Sequence, residues 1–409
     1  MKSAIEKKHR TFLMNSYASI VPLIGGETFA MENVFGTRPE YILSYSDFEA
    51  NDSQLVNHYN NDVPYIKLDM GGSAPSRVDV VNTVCPCAGL SALNTSSSAD
   101  SPTNDWMLKS AKYVLENVQP QVFWGENAPR LASKMGEPIV SKMRELADEL
   151  GYTVSLYKTK SILHGLSQVR DRAFYFFWKG DKVPIFSYYN RPYKNIADQI
   201  RSSATNEPDI MTDTMVKTSK PSEDLFYKYV LEVMHDNISH TDFQKKIDKT
   251  WDIMHYIEDN GSNYYEVAEW ADKKGYTDHA IKCRRMGDKL KAGGNIMRRG
   301  VVVPKDYIGA FVGAYPSMLT HPDADRYLNV RECLDIMKMP KDFNLVGGVK
   351  NLNMICQNVP VTTASDMAEN VKNFLYGKAQ MKKTNFAIQC NKTKTFWSEP
   401  EPATLEAFF

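Results

Sequence analysis

The chain has 409 residues, 43% apolar and 24% charged, with 22 Gly and 20 Pro; this excludes intrinsic disorder, a collagen repeat and a coiled coil, and the length suits one large or two medium cores. The 49 Lys and Arg balance 49 Asp and Glu for a formal net charge of zero, which over the whole chain argues against a polyanionic partner. No run of about 18 apolar residues occurs, excluding a membrane-spanning helix on length, and six cysteines are too sparse for a disulfide framework, which points to a reducing cytoplasm.

In chain order, Lys2, Lys7, Lys8 and Arg10 precede a segment interrupted by Asn15, Ser16, Tyr17 and Ser19 and followed by Pro22, so a signal peptide is not expected. From 19 to about 186, short apolar runs alternate with longer mixed segments, the pattern of buried parallel strands joined by helices. Strands are predicted over 19–24, 41–45, 78–84, 122–126, 153–157 and 173–178. A crossover helix is predicted over 137–150, with Ile139, Met143 and Leu146 on one face and Gly151 as its stop. The fold class expected is α/β, doubly wound. Between about 191 and 303 the character changes to long amphipathic stretches. A helix is predicted from Ser222, as N-cap, to His235, with Leu225, Tyr229 and Val233 on one stripe. Further helices are predicted over 242–258, 264–274 and 278–291. Residues 315–376 return to short apolar runs, and 398–409 are weakly structured.

The zero net charge is a cancellation. Residues 206–279 carry 16 acidic and 8 basic groups, whereas 280–305 carry 8 basic and 1 acidic. The second group includes Lys282, Arg284, Arg285, Arg298 and Arg299 and suits phosphate contact, the alternative being a solvated basic helix.

Chemistry-bearing residues cluster at predicted strand ends. Val84-Cys85-Pro86-Cys87-Ala88-Gly89-Leu90-Ser91 follows the third strand and leads into a loop rich in Ser, Asn and Asp. A nucleophile on a mobile lid would sit there, and so would a buried structural thiol or half a metal site. Zinc is not expected, because no second Cys pair or close His pair supplies the other ligands. The strand 122–126 ends in Glu126-Asn127, a site carboxylate or a helix cap. Gln168-Val169-Arg170-Asp171-Arg172 leads into the next strand and puts two arginines on one face, either for a ligand or as a solvated edge pair. Each bland alternative is favoured alone; the three together on one sheet are harder to dismiss. Gly25-Gly26 lies at a strand-to-helix turn where a ligand can approach the backbone, and Asp47 ends the second strand, where acidic residues bind ribose in α/β sites.

In this order, Pro86-Cys87, Glu126-Asn127-Ala128 and Gln168-Val169-Arg170-Asp171-Arg172 resemble the hallmark of the DNA (cytosine-5)-methyltransferases: Pro-Cys, Glu-Asn-Val and Gln-x-Arg-x-Arg. Arg326-Tyr327-Leu328-Asn329-Val330-Arg331-Glu332 resembles the family's Arg-x-Leu-Thr-x-Arg-Glu, Met337-Lys338-Met339-Pro340 its Gln-Gly-Phe-Pro, and Cys356-Gln357-Asn358-Val359-Pro360-Val361 its Gly-Asn-Ala-Val-Pro-Val. The resemblance covers about 19–192 and 315–373. It implies a Rossmann-like, S-adenosylmethionine-dependent catalytic domain in two parts, 1–195 and 311–375. A mainly helical target-recognition insert would occupy 196–310 and a C-terminal extension 376–409.

The resemblance also assigns roles. Cys87 would add to C6 of a cytosine flipped out of double-stranded DNA, Glu126 would donate to N3, and Arg172 would hold O2 and favour the thiolate, with Arg170 helping to order the loop. Gly25, Gly26, Asp47, Phe48, Asp69, Met70 and Asn358 fall on the cofactor side. Ser91, Gln168, Arg284, Arg285, Arg298 and Arg299 fall on the DNA side, the insert showing a helix-turn-helix outline around Gly275-Tyr276. A cytoplasmic monomer without metal or membrane is expected, with restriction-modification as one setting. The chain departs from the family at Val21 and Leu23, where an aromatic residue and a third glycine are usual, and at Ala88, where a polar residue is usual. The alternatives are a catalytically degenerate DNA-binding relative, the same chemistry on RNA or with a modified donor, and a nucleotide-pool enzyme of the thymidylate-synthase type.

Overall fold

The computed structural model describes residues 15–20, 23–45, 53–68, 75–87, 89–91, 96, 98–203, 213–296 and 300–392. Its strands are β1 (Tyr17–Ile20), β2 (Ile42–Tyr45), β3 (Tyr65–Leu68), β4 (Val80–Val84), β5 (Val122–Asn127), β6 (Tyr152–Lys160), β7 (Asp171–Lys179), β8 (Lys182–Pro184), β9 (Trp251–Asp252), β10 (Val302–Val303), β11 (Met381–Lys383) and β12 (Phe386–Cys390). Eight of them form one sheet in the order β12-β6-β7-β5-β4-β1-β2-β3. All pairings in it are parallel except those of β7, which runs antiparallel to both β5 and β6. The architecture is mixed α/β with a large, mainly parallel sheet.

Both faces of the sheet are covered, which is why its central strands read as near-continuous apolar runs. Val80, Val122, Trp124, Phe174 and Phe176 pack on one face with Phe29, Ala30, Ala364, Met367 and Val371, from the helices Gly26–Phe35 and Val361–Leu375. Val81, Phe123, Tyr175 and Phe177 pack on the other with Met107, Ala111, Ile139, Val140 and Met143, from Asp105–Tyr113 and Glu137–Leu150. The last helix has the predicted bounds, and Gly151 caps it in the left-handed conformation at φ 76°.

Several elements differ from the sequence expectation. The first strand ends at Ile20, and Leu23-Ile24 form a turn rather than its continuation. β3 and β12 were not anticipated, and β12 draws part of the expected C-terminal extension into the sheet, pairing Phe386 with Val154 and Cys390 with Lys158. The helix expected from Ser222 begins later, because Asp224 caps Leu225–Tyr229 by accepting from the N–H groups of Phe226 and Tyr227, while Ser222 bonds Asp325 instead. The helix expected over 242–258 is two, His240–Lys246 and Ile253–Asp259, because β9 pairs with β10 between them and Asp252 caps the second.

Phe226, Tyr227, Phe243, Ile253, Ile257, Val267, Trp270, Cys283, Val301 and Val303 form a third buried cluster belonging mainly to this central segment. Among the described residues no helix is long and apolar enough to cross a membrane.

Candidate active site

From β1 the chain builds outward through β2 and β3, then returns to add β4 and β5 on the other side of β1. The C-terminal ends of β1 and β4 therefore flank the point where strand order reverses, the place where open α/β sheets form a ligand crevice. The glycine turn lies past the end of β1 and the cysteine loop directly past β4.

In the glycine turn, Gly25 adopts the left-handed conformation at φ 88° as N-cap of the helix Gly26–Phe35, a geometry that costs glycine little. The Gly26 N–H donates to Asn358 Oδ1 at 2.9 Å, and a Cβ on Gly26 would lie 2.1 Å from the Val359 carbonyl oxygen. Asn358 is fully buried and donates through Nδ2 to that same carbonyl at 3.0 Å. Its side chain thus holds the glycine turn. Gly26→Ala must displace the 358–359 backbone and is expected to lower stability by roughly 1–3 kcal/mol, measured as a drop in thermal midpoint; an unchanged midpoint would show that this contact is not tight.

The two cysteines separate clearly. Cys85 is buried, its Sγ 3.4 Å from Tyr175 Oη, 3.6 Å from Thr83 Oγ1 and 3.9 Å from Ser110 Oγ. Cys87 is half-buried. Its loop is held by Asn127 Nδ2, which donates to the Pro86 carbonyl at 3.4 Å, and by a turn in which Leu90 N–H donates to the Cys87 carbonyl at 3.1 Å. Burial pushes the Cys87 thiol above its ordinary pKa, and Glu126 adds to this; Arg172 and Arg170 act in the opposite direction.

Strand register gathers these groups. Val84 lies beside Glu126, and Glu126 lies opposite Phe174, two residues beyond Arg172. Glu126 is 2% exposed and forms an ion pair with Arg172 Nε, while Arg172 Nη1 donates to the Asp171 carbonyl at 2.7 Å. Cys87, Glu126 and Arg172 thus share one end of the sheet.

The remaining expected site residues are placed as follows. Arg170 is buried and donates to the carbonyls of Phe311 at 3.0 Å and Cys356 at 2.7 Å, bracing two later segments against β7. Burial, then Arg172, push its pKa down, with Glu126 and Cys87 opposing. Gln168 is corrected from a DNA contact to an internal tie: it is 1% exposed, accepts from Phe311 N–H at 3.4 Å and donates to the Ile336 carbonyl at 3.4 Å. The Ser91 carbonyl accepts from Arg130 at 3.4 Å. Asp47, Phe48, Asp69, Met70, Arg298 and Arg299 lie outside the described residues.

In the central segment, Tyr264–Lys273 and Thr277–Lys291 are joined through Gly275 at φ 79°. Arg284 pairs with Asp272, Tyr265 Oη donates to Asp288 at 2.8 Å, and a Cβ on Gly287 would lie 2.9 Å from the Tyr265 ring. These contacts pack the two helices against each other as an αα-hairpin closed by the Gly275 turn. Arg284 is exposed yet tied to Asp272; Arg285, Lys282, Lys289 and Lys291 are also exposed.

One group escaped the sequence reading. Glu27, in the first turn of the helix after the glycines, is fully buried, and neither carboxylate oxygen has a hydrogen bond of normal geometry among the described residues. Burial, reinforced by Glu126, pushes its carboxyl well above the ordinary range. The available signal was a charge directly after Gly25-Gly26 in the otherwise uncharged stretch from Tyr17 to Met31.

A family model described as C-5 cytosine-specific DNA methylase matches residues 46–373, beginning beyond the departing glycine turn. The Type II methyltransferase M.Bpa9945I of Bacillus paralicheniformis is 23% identical over 354 residues, covering 80% of this chain and 75% of that protein. Among solved structures, a prophage-encoded E. coli protein described as a DNA modification methyltransferase aligns with a TM-score of 0.55 at 14% identity, and the Entamoeba histolytica methyltransferase EhMeth with 0.52 at 10%. Each alignment covers 88% of this chain and 99% of the other. At these identities the structural likeness is one of fold.

Proposed function

The chain belongs to the C-5 cytosine-specific DNA methylase family and is a DNA (cytosine-5-)-methyltransferase, and from that premise we propose that Cys87, Glu126 and Arg172 perform the transfer on a cytosine flipped out of double-stranded DNA. The observation that carries this assignment is their convergence at one sheet end, with the Glu126–Arg172 ion pair beside the half-buried Cys87.

Cytosine C5 is a weak nucleophile. The Cys87 thiolate bonds to C6, making C5 enamine-like. Glu126 supports the adduct by hydrogen bonding or proton donation at N3, and Arg172 holds O2 and offsets the charge that develops there. After transfer the C5 proton leaves to water and the thiolate is eliminated, restoring the aromatic base. Flipping is needed because C6 and N3 are inaccessible in a stacked duplex. Arg170 and Asn358 position backbone around this centre, and Arg170 also favours the Cys87 thiolate.

The donor consistent with the family is S-adenosylmethionine, which supplies an electrophilic methyl group when bound. The turn residues Gly25 and Gly26 are the first candidates to hold it, since they open a helix at the switch point of the sheet, with Leu55 and the Asn358–Val359 segment packed against them, and Asp47, Phe48, Asp69 and Met70 are the further candidates. The division into catalytic parts at 1–195 and 311–375 and a recognition insert at 196–310 is part of the proposal, supported by the separate buried cluster of the central segment. A monomer is proposed. The Type II name of the Bacillus relative supports a restriction-modification setting.

Incubation of duplex DNA with the protein and S-adenosylmethionine is expected to yield 5-methylcytosine on nuclease digestion and mass spectrometry; transfer to RNA alone would overturn the DNA assignment. The exposed cations of Thr277–Lys291 are proposed to contact phosphate. Replacing Lys282, Arg285 and Lys289 with Gln is expected to weaken duplex binding and to flatten its salt dependence, each lost phosphate contact reducing the log–log slope by about 0.9. Fluorescence anisotropy between low and moderate salt measures this, and an unchanged slope would remove the helix from the interface.

A further inference from the structure

We propose that Glu27 receives a cationic group of the bound methyl donor, its sulfonium or its α-ammonium, and thereby helps to decide which donors the site accepts. This rests on the reading of S-adenosylmethionine as donor.

The geometry begins with placement. Glu27 follows Gly25 and Gly26 directly and occupies the first turn of a ten-residue helix at the point where strand order reverses. Its side chain is fully buried, and neither carboxylate oxygen has a hydrogen bond of normal geometry among the described residues. Native structures leave few buried polar groups in that condition, because the desolvation of each goes uncompensated.

Among the neighbouring polar groups only the Asn82 side chain acts to favour the Glu27 carboxylate, and it does so without normal hydrogen-bond geometry. Thr28 Oγ1 donates to Ser19 Oγ at 2.8 Å, and Ser19 Oγ donates to Asn82 Oδ1 at 2.9 Å. This chain of hydrogen bonds fixes the Asn82 amide with its oxygen occupied, and leaves Asn82 Nδ2, like Glu27, without a bond of normal geometry. The ionisable groups that act on Glu27 from neighbouring elements are Glu126 on β5 and the Cys85 thiol past β4. Glu126 has the same sign and is already paired with Arg172, and Cys85 is held by Tyr175, Thr83 and Ser110. Among the described residues no ion pair includes Glu27.

Burial, then Glu126, push this carboxyl well above its ordinary range, with the Asn82 side chain opposing, so the enclosed site favours the protonated form. A cation arriving in the crevice reverses the balance. The carboxyl then gives its proton to the buffer, and the resulting carboxylate forms a charge-assisted contact inside a dry site, further favoured by the helix N-terminus. An apolar residue would fill the same space without the desolvation cost but would offer nothing to a cation. The proton balance is definite: up to one proton is released for each donor bound, so donor affinity rises with pH across the range in which free Glu27 is protonated.

The test is calorimetric titration of the full chain with S-adenosylmethionine at pH 7 in phosphate and in Tris, two buffers of different ionisation enthalpy. Wild type is expected to release up to one proton per donor. Glu27→Gln, which keeps the volume, is expected to release none and to bind at least about tenfold more weakly. S-adenosylhomocysteine keeps the ammonium but lacks the sulfonium: proton release that persists with it assigns the ammonium, and release seen only with S-adenosylmethionine assigns the sulfonium. Binding by wild type without proton release, matched in affinity by Glu27→Gln, overturns the proposal. Absence of any binding of S-adenosylmethionine to wild type overturns the donor reading itself, and the Glu27 assignment with it.

Discussion

Replacing Cys87 with serine is expected to lower methyl transfer by on the order of 10³-fold or more while leaving the fold intact, because the variant loses the only reacting atom proposed to bond C6. A hydroxyl in the same place is far less acidic than a thiol, and the nearby cations Arg172 and Arg170, which favour a thiolate at this position, do little for it. Cys87 is half-buried at a loop, so its loss removes little packing. Cys85 predicts the opposite profile. Its Sγ lies among Tyr175, Thr83 and Ser110 in the core, so Cys85→Ala costs stability, on the order of 1 kcal/mol, and spares the covalent step. DNA containing 5-fluorocytosine separates the two, since fluorine cannot leave C5 as a proton does and the adduct accumulates. In the presence of S-adenosylmethionine, mass spectrometry should find a protein–DNA adduct in wild type and Cys85→Ala and none in Cys87→Ser. An adduct that persists in Cys87→Ser would overturn the assignment of the nucleophile.

The second large effect concerns Glu126. Glu126→Gln keeps the shape and removes the acid, and is expected to slow the single-turnover rate by roughly 10²–10⁴-fold, the usual worth of a positioned general acid. Truncation is harsher, because Glu126 and Arg172 form a largely buried ion pair. Deleting one partner of such a pair leaves the other charge uncompensated, at a cost of about 3–5 kcal/mol. Arg172 is 13% exposed at its side chain, so part of that cost is recovered through water, and Glu126→Ala should fall at the low end. Thermal unfolding of Glu126→Ala, Arg172→Ala and the double variant measures the coupling: the double variant should be less destabilised than the sum of the singles. Additivity in stability would show that the pair is not coupled, and a Glu126→Gln enzyme of wild-type rate would remove Glu126 from the chemistry.

The central strands were legible because burial on both faces writes itself into sequence as runs such as Val122-Phe123-Trp124 and Phe174-Tyr175-Phe176-Phe177. The edge strands were not. β12 has one side open, and Ile388 within it is 47% exposed, so its five residues carry too little apolar signal to separate it from a loop. The split of 242–258 was likewise invisible, because the apolar positions continue through Ile247, Trp251 and Met254, and the break is imposed by the distant pairing of Trp251 with Val303. At the site, motif order pointed to Cys87, Glu126 and Arg172 together. It could not show which motif residues also hold backbone: Arg170, Gln168 and Asn358 sit in the same motifs, and their burial and internal hydrogen bonds emerge only in the fold. Glu27 was missed for a related reason. An acidic residue in the first turn of a helix is ordinarily a solvated complement to the dipole, and its enclosure is visible only once β1, β4 and β5 are assembled.

The hydrogen bond between Gly26 and Asn358 joins positions 332 residues apart. During synthesis the glycine turn leaves the ribosome long before its anchor exists, and at roughly 5–20 residues per second the delay is tens of seconds. A nascent chain that already displays Cys87, Glu126 and Arg172 therefore has an unbraced donor turn and lacks the β12 edge of its sheet. A chain interrupted before Asn358 therefore lacks the brace of its glycine turn, and such products should be inert rather than partly active.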